Sequence, residues 1–147
     1  MNGTVQIKEG VMKEKKKFLK RYLRIMKRVE RLENKLAQLD DRLTSITGRP
    51  ITDMPRGGIP TTMDDLLADK METEERISNL VHESMVIRKE IFGALDGLDD
   101  ARHVEALELF FIEGLPFEDI AERMGYTTRH TMRFYTEGIK ALDWPAC

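Results

Sequence analysis

An all-α fold is predicted: a long two-helix coiled coil, formed as a hairpin or between chains, followed by a small helix-turn-helix domain. Three observations predict it. Phe18, Tyr22, Ile25, Val29, Leu32, Leu36, Leu39, Leu43 and Ile46 alternate spacings of four and three without a break, the repeat that holds one apolar seam along a long helix. Gly48, Pro50, Pro55, Gly57, Gly58 and Pro60 crowd into residues 47–62, a run that neither a helix nor a central strand accepts. Residues 117–142 hold two short amphipathic stretches separated by Gly125, the pattern of two steeply crossed helices joined by a tight turn.

The elements follow in order. The first helix should span about 13–46, and at ~1.5 Å per residue its seam from Phe18 to Ile46 makes a rod on the order of 43 Å. Nothing but another long helix can cover such a stripe. That second helix should run from about 63 to 95, because Asp64 and Asp65 suit the positive end of a helix dipole. Its seam includes Met63, Leu67, Ile77, Leu80, Val81, Ile87, Ile91 and Leu95, interrupted by Lys70, Glu74 and Ser84. The two helices can fold back on each other or pair with copies of themselves. A domain junction is expected near 96–100, which divides the chain into residues 1–98 and 99–147. Gly97 breaks the long helix there, and Asp99 or Asp100 can cap the next. The helix from about Ala101 to Glu113 presents Val104, Leu107, Phe110 and Phe111 to a core.

After Gly114 and Pro116 a helix restarts near Phe117, with Phe117, Ile120, Ala121 and Met124 forming its apolar stripe. Gly125 supplies the positive φ of a sharp turn, Tyr126 can pack back on the corner, and Thr127 suits the N-cap of the final helix. In that helix Thr131, Phe134, Gly138 and Leu142 should point inward, flanked by Tyr135, Ile139 and Ala141. The hydroxyl of Thr131 then needs a backbone acceptor. Thr128, Arg129, Met132, Arg133, Thr136 and Lys140 fall on the opposite side, with His130 at its edge. An outward face of this composition suits the DNA major groove, where Arg can bond guanine bidentately and Thr or Met can touch thymine methyls.

Charge is distributed unevenly along the chain. Residues 1–35 carry 12 basic and 4 acidic side chains, residues 36–100 carry 7 and 14, and residues 101–147 carry 5 and 8. A DNA-binding domain that acts alone is usually basic, so weak affinity is expected from the final segment by itself. The basic stretch from Lys13 to Arg31 is either a solvated helix face, well placed beside an acidic second helix, or a source of phosphate contacts that makes up the deficit.

No catalytic, metal or cofactor site is expected. His82, His103 and His130 are isolated, and Cys147 is the one cysteine, an arrangement that suits a reducing cytosol. The absence of an apolar run near 18 residues argues against a membrane span, and the start of the chain lacks the hydrophobic run of a secretory signal. Met54, Pro55, Arg56, Gly57 and Gly58 lack both the Lys-Ser/Thr and the preceding strand of a nucleotide-binding loop. They form either a flexible connector or a partner-docking loop in which Arg56 grips DNA or polymerase.

The run Ile120-Ala121-Glu122-Arg123-Met124-Gly125-Tyr126-Thr127, followed by Arg129, His130, Arg133 and Ala141-Leu142, resembles the helix-turn-helix of phage transcriptional regulators of the RinA and ArpU type. It is also similar to the sigma-factor region that reads the upstream promoter element. In that pattern Ser often stands where this chain has Thr127 and Val where it has Thr131. The resemblance reaches back through the loop to about Phe18. It implies control of phage genes, typically late ones, in the bacterial cytosol, with promoter DNA contacted by Thr127, Thr128, Arg129, His130, Met132, Arg133, Thr136 and Lys140. Host RNA polymerase and further copies of the chain, joined through the coiled coil, are the expected partners. The competing reading is a phage assembly or packaging adaptor that oligomerises through the coiled coil and binds DNA without sequence preference, or only protein.

Overall fold

A computed structural model describes residues 2–47 and 63–144, and the side chains of 9–46 and 63–144. The loop carrying Met54 to Gly58 lies outside the described residues. Within them the fold is all-helical: α1 Asn2–Leu19, α2 Arg21–Thr47, α3 Met63–Leu95, α4 Ala101–Phe111, α5 Phe117–Met124 and α6 Thr128–Ala141. The first predicted helix thus begins earlier than residue 13 and divides at Lys20. Its hydrogen bonds nonetheless run through the division, from Lys20 N–H to the Lys16 carbonyl (2.9 Å) and from Arg24 N–H to the Lys20 carbonyl (3.2 Å).

The chain forms two compact units, one of residues up to Arg24 together with those from Ser84 onward, the other Ile25–Glu83. The boundaries therefore fall inside the long helices rather than at 98/99. In the unit of residues 25–83, α2 and α3 lie antiparallel within one chain. Leu32 and Leu80 line one groove, Ile46 and Leu66 line another, and Lys35 reaches Asp69 at 3.3 Å while Lys70 reaches Asp40 at 2.9 Å. The hairpin is thus the pairing the fold adopts.

The seam of α2 is the expected one from Ile25 to Leu43, with Ile25, Val29 and Leu39 buried, but Ile46 at its end is 42% exposed. That of α3 is shifted at its start. Met63 and Leu67, expected in the seam, are exposed at 38% and 42%, and Leu66 and Thr73 are buried in their place. Leu66, Lys70, Thr73, Ile77, Leu80 and Ser84 restore strict alternation of four and three, so register won over local hydrophobicity. Its polar members are satisfied locally: the Thr73 hydroxyl donates to the Asp69 carbonyl at 2.8 Å. The Asp40 carboxylate accepts a hydrogen bond from Lys70 and holds its ammonium above the usual lysine range.

In the other unit α4, α5 and α6 pack around Leu107, Phe111, Ile120, Phe134, Ile139 and Leu142, each at most 4% exposed. Phe110, Phe111, Phe117 and Tyr135 add an aromatic cluster with ring centroids 4.8–5.6 Å apart, in the tilted and offset arrangements that ring quadrupoles favour. Burial there pushes the Tyr135 phenol above its ordinary pKa. Val104 and Phe110 are only partly covered, and Ala106 and Leu109 share the buried face of α4. Asp100 caps that helix by accepting the Arg102 N–H.

The first helix belongs to this same unit. Lys15 is 8% exposed, and its Nζ donates to the Lys140 carbonyl at 3.1 Å, so the ammonium satisfies a terminal acceptor of α6. Phe18, expected in the coiled-coil seam, instead packs against Trp144 with ring centroids 5.5 Å apart.

Candidate nucleic-acid interface

Helix α5 starts after Pro116, whose φ of −70° and ψ of 162° place it at the N-cap. Ile120 and Ala121 bury against the neighbouring helices. The helix stops at Gly125, at φ 80°, where a side chain would be strained in the left-handed region. The N–H groups of Gly125 and Tyr126 both donate to the Ala121 carbonyl, at 2.9 and 3.0 Å. Tyr126 folds back edge-on against Phe134 with centroids 4.9 Å apart, which sets the corner.

Thr127 caps α6 by accepting the His130 N–H at 3.2 Å. Below it Thr131 is fully buried, and its hydroxyl donates to the Thr127 carbonyl at 3.0 Å. This is the backbone acceptor the sequence demands. Phe134, Gly138 and Leu142 point inward as expected, joined by Ile139, whereas Ala141 is exposed. Gly138 marks the closest approach of α6 to α4: an added Cβ would sit 3.0 Å from Leu107 Cδ1 and 3.2 Å from His103 Cβ.

The opposite face of α6 is open. Arg129, His130, Met132, Arg133 and Thr136 line one shallow concavity, with Met132 at 48% exposure. One of the eight residues assigned to DNA contact, Thr127, is committed to capping, and His130 is drawn toward it. The Thr127 hydroxyl is the cap, and His130 Nδ1 lies 2.8 Å from it. Thr128 is half-covered, and Lys140 is exposed at the far end of the face. The concavity therefore joins five of the eight, with Arg129 and Arg133 its two permanent charges.

Residues outside the sequence assignment shape its electrostatics. Glu137 lies 3.9 Å from the Arg133 guanidinium and 3.4 Å from His103 Nε2, whose ring is also 3.5 Å from Asp100. The spacing of Arg133 and Glu137, four apart on a helix, was a readable signal; the position of His103 was not. Arg102 packs over the Phe134 ring at 5.0 Å and forks onto Asp100 through Nε and Nη2 at 3.1 and 3.0 Å. These hydrogen bonds, with that from the Arg102 N–H, lower the Asp100 carboxyl from 3.8 to about 2. They also raise the guanidinium pKa further. Burial lifts the Glu108 carboxyl above its usual range.

Among the described residues no three His, Cys, Asp or Glu side chains gather as metal ligands, and no helix is long and apolar enough to cross a membrane. No family model, curated protein or solved structure matches the chain.

Proposed function

We propose that the protein is a sequence-specific DNA-binding regulator of phage transcription, in which α6 enters the major groove. One observation supports this reading above the rest: a helix locked by a cap and a positive-φ glycine buries one face and offers Arg129, Met132, Arg133 and Thr136 together on the other. Those side chains can bond guanine edges and touch thymine methyls; His130 lines the same concavity, and Lys140 follows one turn after Thr136. The resemblance to the sigma-factor region supports action with host RNA polymerase in the bacterial cytosol. Self-association would use Met63, Leu67 and Met71, spaced four apart along α3 and left 38%, 42% and 70% exposed by the hairpin.

Selection of bound duplexes from a random pool tests the reading. A defined motif should emerge, and Arg129→Ala or Arg133→Ala should cost ~1–3 kcal/mol at one base pair without changing the helical circular dichroism. The acidic balance of residues 101–147 favours a second reading, that of an assembly or packaging adaptor with no sequence preference. Equal retention of selected and scrambled duplexes at fixed salt would establish that alternative.

A further inference from the structure

We propose that α1 and the start of α2 are part of the DNA interface, their common outward face supplying Lys13, Lys17, Lys20 and Arg24 to the phosphates that flank the bases read by α6; this rests on the DNA-binding reading above. The four are spaced four, three and four apart, so they share one helical face. Lys15 and Leu19, also four apart, are the buried face. All four cations are exposed, and none makes an ion pair with another described residue. Arg21 beside them is engaged by Glu90 at 3.0 Å.

Three contacts from the opposite side of the helix hold it to α6 and the residues just after it. Lys15 Nζ bonds the Lys140 carbonyl, Phe18 packs on Trp144, and the Lys16 ammonium lies 6.0 Å from the Tyr135 ring centroid. Tyr135 adjoins Thr136, and Lys140 is itself on the outward face of α6. The helix thus packs against the C-terminal half of α6 and the residues that follow it. A lysine run left to solvate a free rod would need none of these attachments.

Charge gives the attachment its use. Residues 84–147 hold 7 basic and 12 acidic side chains, while residues 1–24 hold 8 and 2. A compact unit built from 84–147 alone would repel DNA, and residues 1–24 bring it to slightly positive, with Lys13, Lys17, Lys20 and Arg24 along one stripe. Phosphate contacts release counterions and so carry sequence-independent affinity, whereas base contacts carry selectivity. The two roles are assigned here to different helices.

The test uses the full chain and a fluorescent duplex recovered by selection, with a scrambled duplex beside it. Binding is followed by anisotropy across a range of salt for the K13Q/K17Q/K20Q/R24Q variant. Glutamine keeps helix propensity at exposed sites, and unchanged circular dichroism checks the fold. The slope of log K against log salt should fall by about 2 to 4, near 0.9 per lost phosphate contact, and affinity should drop roughly tenfold or more at moderate salt. The ratio of selected to scrambled binding should stay put.

A wild-type slope and affinity in this variant, while Arg129→Ala destroys the preference, would overturn the role of α1 and leave the DNA reading intact. An equal drop in a charge-matched control, R28Q/R31Q/R42Q/R76Q, would also overturn it, because bulk charge rather than this stripe would then be responsible. Wild-type protein that binds neither duplex defeats the DNA reading and this inference with it.

Discussion

The two compact units bury apolar surface in different ways. In the unit of residues 25–83, a single seam closes between two antiparallel helices, so each helix has one partner and half of its girth stays wet. Thr73 sits in that seam, and ion pairs such as Lys70 with Asp40 line its border. In the unit holding α4, α5 and α6, three helices converge from different directions. Side chains there meet neighbours on all sides, and small residues are needed wherever backbones approach. A seam tolerates polar side chains because water is a short distance away; the converging core holds Thr131 only with its hydroxyl bonded to the Thr127 carbonyl.

The largest expected effect tests that contrast directly. Phe111, 1% exposed, sits in the aromatic cluster, and Phe111→Ala should cost about 3–5 kcal/mol. Val29, 2% exposed in the seam, should cost only about 2 kcal/mol as Ala, since the hairpin can close partly over the gap. Urea denaturation of the two variants measures both, and equal losses would break the distinction between seam and core. Gly138→Val should follow at about 1–3 kcal/mol, because the new Cβ arrives 3.0 Å from Leu107 Cδ1 and α6 must move away from α4.

The smallest effect concerns the edge of the core. Asp100 has its carboxyl lowered from 3.8 to about 2 by Arg102, so its contribution is complete above the unfolded-state value and is lost as pH falls through the folded one. Asp100→Asn keeps a capping oxygen but loses the charge. Its melting temperature should lie slightly below wild type near neutral pH, and the gap should close between about pH 4 and pH 2. A gap that stays constant on acidification would show that the carboxylate charge is irrelevant.

Much of the region of α5 and α6 was legible because its determinants are local. The stop at Gly125, the cap at Thr127, the inward Thr131 and Phe134 and the outward Arg129 and Arg133 follow from turn chemistry and a 3.6-residue period. All are within a few positions of one another. The limits of α3 and α5 were legible for the same reason, through the acidic first turn after Met63 and the proline before Phe117. The register of α3 was misread at Met63 and Leu67, because hydrophobicity at single positions outweighed the spacing that runs from Leu66 through Thr73 to Ser84. The pairing of Glu137 with His103 was not legible, because His103 comes from another helix.

Periodicity, caps and breakers acted along the chain to place the helices, to stop each one and to select the face of α6 that meets solvent, since each depends on neighbours within a turn or two. Tertiary packing alone decided that the long helices close on each other within one chain, and that α1 joins the unit of α4, α5 and α6. Lys15 and Lys140 are 125 positions apart, and no local spacing encodes an ammonium finding a carbonyl at that separation. That pairing exists because burying Leu19 beside the helical core brings the lysine to the one helix end whose acceptor it can satisfy.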